Sequence, residues 1–238
     1  MRINTRSFGP SMPPATKHLI IVNVIVWLFS FVSFLMWKSG YRGDPRLVAD
    51  AFIDQHSLYT LLGLHFWQSS DFMPWQFISH IFLHDPSDFM HILCNMFMLW
   101  MFGGWIERAM GTKRFLIYYI ICGLGAGFVQ ELFWQFTLPG GYETYRVMAF
   151  GASGAVFGVL LAFGMIFPKV PLYILFIPVP IQARFVVLGY GLLELFFGVS
   201  GRMSGVAHFA HLGGMIFGIL LILYWKHKGS ISRGHGSY

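Results

Sequence analysis

Two short runs set reactive side chains into otherwise apolar stretches: Ser153 in Gly151-Ala152-Ser153-Gly154, and His211 in Ala210-His211-Leu212-Gly213-Gly214. A serine alcohol is a weak nucleophile until a base takes its proton, so a Ser–His contact is the minimum that acyl transfer needs. A histidine in a lipid-facing stretch is costly enough that function is the default expectation. A third run, His91-Ile92-Leu93-Cys94-Asn95, puts two more polar side chains four residues apart, hence on one helical face. Together with the backbone N–H of Ser153, His91 and Asn95 are of the type that donates to a tetrahedral oxyanion. Taken singly, each has a plainer explanation, since a glycine-flanked serine usually packs and an asparagine usually joins helices. Their coincidence at one depth is what points to chemistry.

The elements that must position these residues follow from composition. Of 238 residues, 56% are hydrophobic, 18% aromatic and only 11% charged, and the mean hydropathy is +0.62. An ordinary soluble domain is excluded. A span needs roughly 20 apolar residues, and stretches near 18–37, 88–106, 114–136, 148–167, 182–198 and 206–225 qualify. We therefore expect an all-α, polytopic, multi-pass membrane protein: a six-helix membrane domain over 18–225, with short tails at 1–17 and 226–238. The first stretch is too long, and too far from the N-terminus, for a cleaved signal. Eleven of the sixteen basic residues, Arg108, Lys113 and Arg114 among them, fall on one side of this layout and five, including Lys38 and Arg42, on the other. The richer side is expected to be cytoplasmic, with both termini there. The net charge of +6 then reports topology, and no nucleic-acid partner is expected.

With that orientation, spans two, four and six all run inward from the outer face, each with its polar residue near its outer end. Ser153 is expected about five residues into its helix and His211 at a similar remove, roughly 5–10 Å below the surface. Gly154 and Gly158 on span four, and Gly214 and Gly218 on span six, have the spacing that lets membrane helices approach closely. The long connection between spans one and two carries Trp67 and Trp75 and is expected to be a structured interfacial loop, not a span. Pro168 through Pro180 is expected to be an interfacial connector, because Pro178 and Pro180 break a helix. Cys94 and Cys122 are expected to be free, buried thiols. His80 with His84, and His208 with His211, have chelating spacing, but no His-Glu-x-x-His occurs and neither a metal nor another cofactor is expected. His84 and His208 are expected to be structural.

At these residues the chain resembles the rhomboid family of intramembrane serine proteases. The resemblance runs from about residue 18 to 225. His91 to Asn95 looks like the family's His-x-x-x-Asn, Gly151 to Gly154 like its Gly-x-Ser-Gly, and Ala210-His211 through Gly214 and Gly218 like its Ala-His-x-x-Gly-x-x-x-Gly. Glu107-Arg108 followed by Gly111 resembles the turn after the family's second helix. The resemblance implies that Ser153 is the nucleophile and His211 the base in a dyad without an acid, with Asn95 and His91 stabilising the oxyanion. It implies an aromatic ring stacked on the imidazole, here Phe157, where many bacterial relatives have tyrosine. Single-span transmembrane substrates cut near the outer face are expected because a helical peptide bond is shielded by its own hydrogen bonds. Contact with membrane lipids follows from the spans, and the lack of an evident organelle-targeting segment favours a bacterial inner membrane. Glu194, in the outer half of span five, would complete a triad if it faced His211; the family pattern argues for a dyad. Gln76 follows Trp75 where many relatives have arginine. His84 resembles an auxiliary histidine, set further from the motif by Asp85-Pro86-Ser87-Asp88. The alternative is a catalytically inactive relative that binds membrane clients.

Overall fold

The computed structural model describes residues 11–44, 47–138, 147–173, 179–201 and 207–229. Arg146 and Arg202 of the charge pattern, Pro178 of the connector and most of both expected tails lie outside the described residues. The chain begins with α1 (Pro14–Gly40), followed by α2 (Val48–Gln55), α3 (Ser57–Leu62), β1 (Leu64–His65) and α4 (Gln76–Ser79). A single 3-10 turn (His80–Phe82) leads to α5 (Phe89–Met98), which widens over Leu99–Gly103 and continues as α6 (Gly104–Met110). Then come α7 (Thr112–Thr137), β2 (Met148–Ala149), α8 (Ser153–Ile166), β3 (Pro171–Leu172), β4 (Ile181–Gln182), α9 (Ala183–Ser200) and α10 (His208–His227).

The architecture is the expected all-α polytopic bundle, with one difference in the count. Among the described residues five helices are long and apolar enough to cross a membrane, α5 and α6 acting as one of 22 residues. The fourth expected span, 148–167, is a helix of only 14 residues, about 21 Å at 1.5 Å per residue. It can be short because it meets little lipid: ten of the fourteen are buried, Gly154 through Gly164 with only Phe157 left out. Being encased, α8 has no need to match the hydrocarbon thickness itself. It packs against α7, α9 and α10. At the opposite extreme, α9 buries only Ala183, Val186 and Val187.

Glu107 fastens the far end of the bundle. Ala15 and Thr16 donate backbone N–H groups to its carboxylate at 3.0 and 2.7 Å, and Thr16 and Thr112 donate hydroxyls at 2.8 Å each. One buried acid thus satisfies N–H groups that the first turn of α1 leaves without acceptors. That helix starts at Pro14, four residues before the expected boundary, as suits a residue with no N–H to satisfy.

The connection from α1 to α5 is structured and, as expected, is not a span. Its short helices close over a buried cluster of Phe34, Phe52, Ile53, Tyr59 and Leu83. Gln76, fully buried, holds the loop together by accepting from the N–H of His65 and Met73 and donating to the carbonyls of Thr60 and Asp71. The neutral amide at this position satisfies four backbone groups that are all internal to the loop. Trp67 docks the same loop on α7, its N–H and indole N–H donating to Glu131 and Gln135 at 2.9 and 2.8 Å.

Candidate active site

Ser153 is the first residue of α8, not five residues inside it as expected. Residues 147–152 read as helix by apolar content, but Met148–Ala149 pairs antiparallel with Leu64–His65 instead. Gly151 then takes φ +133, a conformation that side chains with a Cβ rarely adopt, while its N–H donates to the His80 carbonyl at 2.9 Å. The serine is therefore presented on a sharp turn. Its own N–H lies in the first turn of the helix, where no intrahelical acceptor exists.

Glycines bring His211 to it. A Cβ on Gly214 would be driven into the backbone carbonyl of Gly154, and one on Gly158 would lie 3.1 Å from the Gly214 carbonyl oxygen. This close approach of α8 and α10 sets His211 Nε2 2.7 Å from Ser153 Oγ. The Phe157 ring, one turn after the serine, stacks on the imidazole at 4.3 Å and 8°. Stacking orients the ring plane, and the missing tyrosine hydroxyl has no part in that.

His91 and Asn95 line the same cavity as Ser153 and His211. His91 Nδ1 accepts from the backbone N–H of Asp85 at 3.3 Å. The proton of the neutral ring must then be on Nε2, making Nε2 a donor. A Cβ added to Gly151 would lie 3.0 Å from that Nε2 and 3.7 Å from Ser153 Oγ, so the imidazole N–H and the alcohol converge on one point and the glycine keeps it open. Asn95 spends one N–H on the His91 carbonyl at 2.8 Å and retains a second. His84 is buried against His91, ring centroids 5.0 Å apart. Burial, with His91 beside it, pushes its pKa down to about 3, so it is neutral at pH 7 and acts as packing beneath His91. Asn95→Ala is expected to lower kcat about 100- to 1000-fold, the usual consequence of losing one oxyanion donor, with KM nearly unchanged. Steady-state cleavage kinetics check this.

Two expectations need correction. The arrangement does not lack an acid: Glu194 Oε2 lies 2.9 Å from His211 Nδ1 and 2.6 Å from His208 Nδ1. His208, expected to be structural, holds the same carboxylate that lies beside His211, which is compatible with that role. The signal for Glu194 was present, since a carboxylate within a span is rarely idle, but which way it faces depends on the rotation of α9 against α10. Cys94 is exposed and lines the cavity instead of being buried, because it lies on the open side of α5; Cys122 is buried. The carboxylate and two imidazoles offer ligand atoms within 4.8 Å of one another, the one such set among the described residues. A divalent cation would suit it and would occupy the Nδ1 side of His211.

The cavity measures about 880 Å³. Apolar walls from Trp134, Met148, Phe197 and Phe209 surround the polar groups, with Gln130 added to those expected.

Sequence comparison identifies the family. The Rhomboid domain family profile matches residues 71–228. The chain is 28% identical over 165 residues to the rhomboid protease GlpG of Yersinia pseudotuberculosis, covering 69% of this chain and 52% of that protein. The Yersinia pestis protein of that name matches equally, with the same coverage. The Haemophilus influenzae rhomboid protease GlpG is 28% identical over 155 residues, covering 65% of this chain and 71% of the relative. The chain spans about half the length of the Yersinia relatives it matches.

Proposed function

This chain belongs to the rhomboid family, and on that premise we propose that it is an intramembrane serine endopeptidase that cleaves single-span membrane proteins near the outer face of the bilayer. The 2.7 Å contact between Ser153 Oγ and His211 Nε2 carries the proposal. Ser153 Oγ attacks the scissile carbonyl carbon while its proton passes to His211 Nε2. The carbonyl oxygen becomes an oxyanion held by the N–H of Ser153, the Nε2–H of His91 and the free N–H of Asn95. Collapse breaks the C–N bond, and His211 returns the proton to the departing amine. Water then attacks the acyl ester as His211 takes its proton, and His211 passes that proton to Ser153 Oγ as the ester C–O bond breaks and the acid product leaves.

Peptide hydrolysis in a membrane needs a wet, polar recess, and a cavity lined by His91, Asn95, Gln130 and His211 supports one. The substrate must offer an unwound backbone, because a helical peptide bond is shielded by its own hydrogen bonds. Entry past α9 suits a helix with so little buried surface. The excess of basic residues at the opposite end supports a cytoplasmic location for both termini, and the bacterial relatives favour an inner membrane.

The direct test is labelling of the purified protein by a fluorophosphonate, which marks an activated serine. Wild type should take the label and Ser153→Ala should not. A client-binding relative without turnover would leave both unlabelled, and that result would remove the proposal.

A further inference from the structure

We propose that Glu194 is a positioning residue that completes a Ser153–His211–Glu194 relay in this chain by fixing the tautomer of the base. This rests on the protease reading above and extends it. The two nitrogens of His211 face different partners: Nε2 meets Ser153 Oγ at 2.7 Å, and Nδ1 meets Glu194 Oε2 at 2.9 Å. A carboxylate only accepts, so its charge 2.9 Å from Nδ1 favours the neutral tautomer that carries the proton on that nitrogen. Nε2 is then left with the lone pair that must take the serine proton. Phe157 cannot make that choice, because stacking holds the ring plane but does not distinguish which nitrogen is protonated. In the opposite tautomer Nε2–H would face Ser153 as a donor, and the base would be lost.

The charge acts in the same direction. When the serine proton passes to Nε2 during attack, the ring becomes an imidazolium, and the neighbouring carboxylate favours that state and the tetrahedral intermediate formed with it. The approach of Glu194 to His211 is off the N–H axis, whereas its 2.6 Å contact with His208 is an aligned hydrogen bond. His208 thus anchors Oε2 beside the catalytic ring, and alignment of this kind commonly tightens when substrate is engaged. The surrounding residues give the carboxylate room. Gly191 and Gly198 lie on the same stripe of α9 as Glu194, where a Cβ would stand 3.3 Å from Met215 Cε and from His208 Cβ respectively. With these two positions bare, α9 packs closely enough for Glu194 to reach α10.

The test uses the full chain in liposomes with a single-span model substrate, reading kcat, KM and the rate of fluorophosphonate labelling. Glu194→Gln keeps the shape and a hydrogen-bonding group but removes the charge and the acceptor-only character. It is expected to lower kcat by about 10-fold or more, the lower end being the loss when the partner of a metal-bound histidine is changed and the upper end the roughly 10⁴-fold loss in a Ser-His-Asp triad, with KM nearly unchanged and labelling slowed in parallel. Glu194→Asp, which restores the carboxylate at shorter reach, should recover part of both rates. If Glu194 served only to clasp α9 to α10, labelling by a small reagent would keep its wild-type rate and any loss would appear in KM. Wild-type kcat and labelling rate in Glu194→Gln would overturn the proposal. Should that variant not fold, an unreduced labelling rate in Glu194→Asp would overturn it as well. Failure of the protease reading would look different, since wild type itself would neither cut nor take the label.

Discussion

Alanine at Ser153 or at His211 is expected to lower cleavage of a transmembrane substrate by about 10⁴-fold or more, because nucleophile and base act as one unit. The geometry makes the effect nearly total. His211 Nε2 meets Ser153 Oγ at 2.7 Å, and the thiol of Cys94, which opens on the same cavity, is carried by a different helix, α5. Removing the alcohol leaves no atom placed to form the ester; removing the imidazole leaves the alcohol protonated. The double variant should be no worse than either single one, since each alone disables the same step. Cleavage of a single-span substrate in liposomes, followed over hours to resolve slow turnover, reads the effect. Either alanine variant cutting at the wild-type rate would remove the assignment of both residues.

The parts of the site that were legible in the sequence are those in which spacing alone decides geometry. His91 and Asn95 are four apart, and one helix suffices to put them on one face. Phe157 is four after Ser153, so one turn of α8 puts it on the serine's face, while its stacking on the imidazole of α10 was expected from the family resemblance alone. Glycine spacing on α8 and α10 announced a close contact, and Gly214 over the Gly154 carbonyl is that contact. What was not legible depends on relations between elements. Val147 through Phe150 is as apolar as a helix, and only its pairing with Leu64–His65 turns it into the strand that leads into the Gly151 turn. Whether Glu194 faces lipid, cavity or histidine is a matter of how α9 is rotated against α10, which no periodicity within α9 reveals. The short α8 is a related case: length predicts a span only for a helix that must face lipid, and burial on every side lifts that requirement. Gln76 shows the reverse, a position whose chemistry differs from the arginine of many relatives while its work inside the loop is done by an amide.

The second large effect is structural in origin and catalytic in its readout. Gly214→Val is expected to abolish measurable cleavage and to lower the thermal midpoint of the purified protein, although residue 214 touches no substrate. A Cβ there meets the backbone carbonyl of Gly154, and backbone, unlike the tip of a flexible side chain, cannot turn aside. Overpacking typically costs about 1–3 kcal/mol, and relief here requires moving whole helices. Because Ser153 immediately precedes Gly154 and His211 is three residues before Gly214, any separation of α8 from α10 lengthens the 2.7 Å contact directly. A misplacement of about 1 Å can cost 100-fold in rate, so activity should fall further than stability. Circular dichroism should show helix content retained while fluorophosphonate labelling of Ser153 is lost. A Gly214→Val protein that labels as fast as wild type would mean that the two helices tolerate a wider spacing, and that their close approach is not what activates the serine.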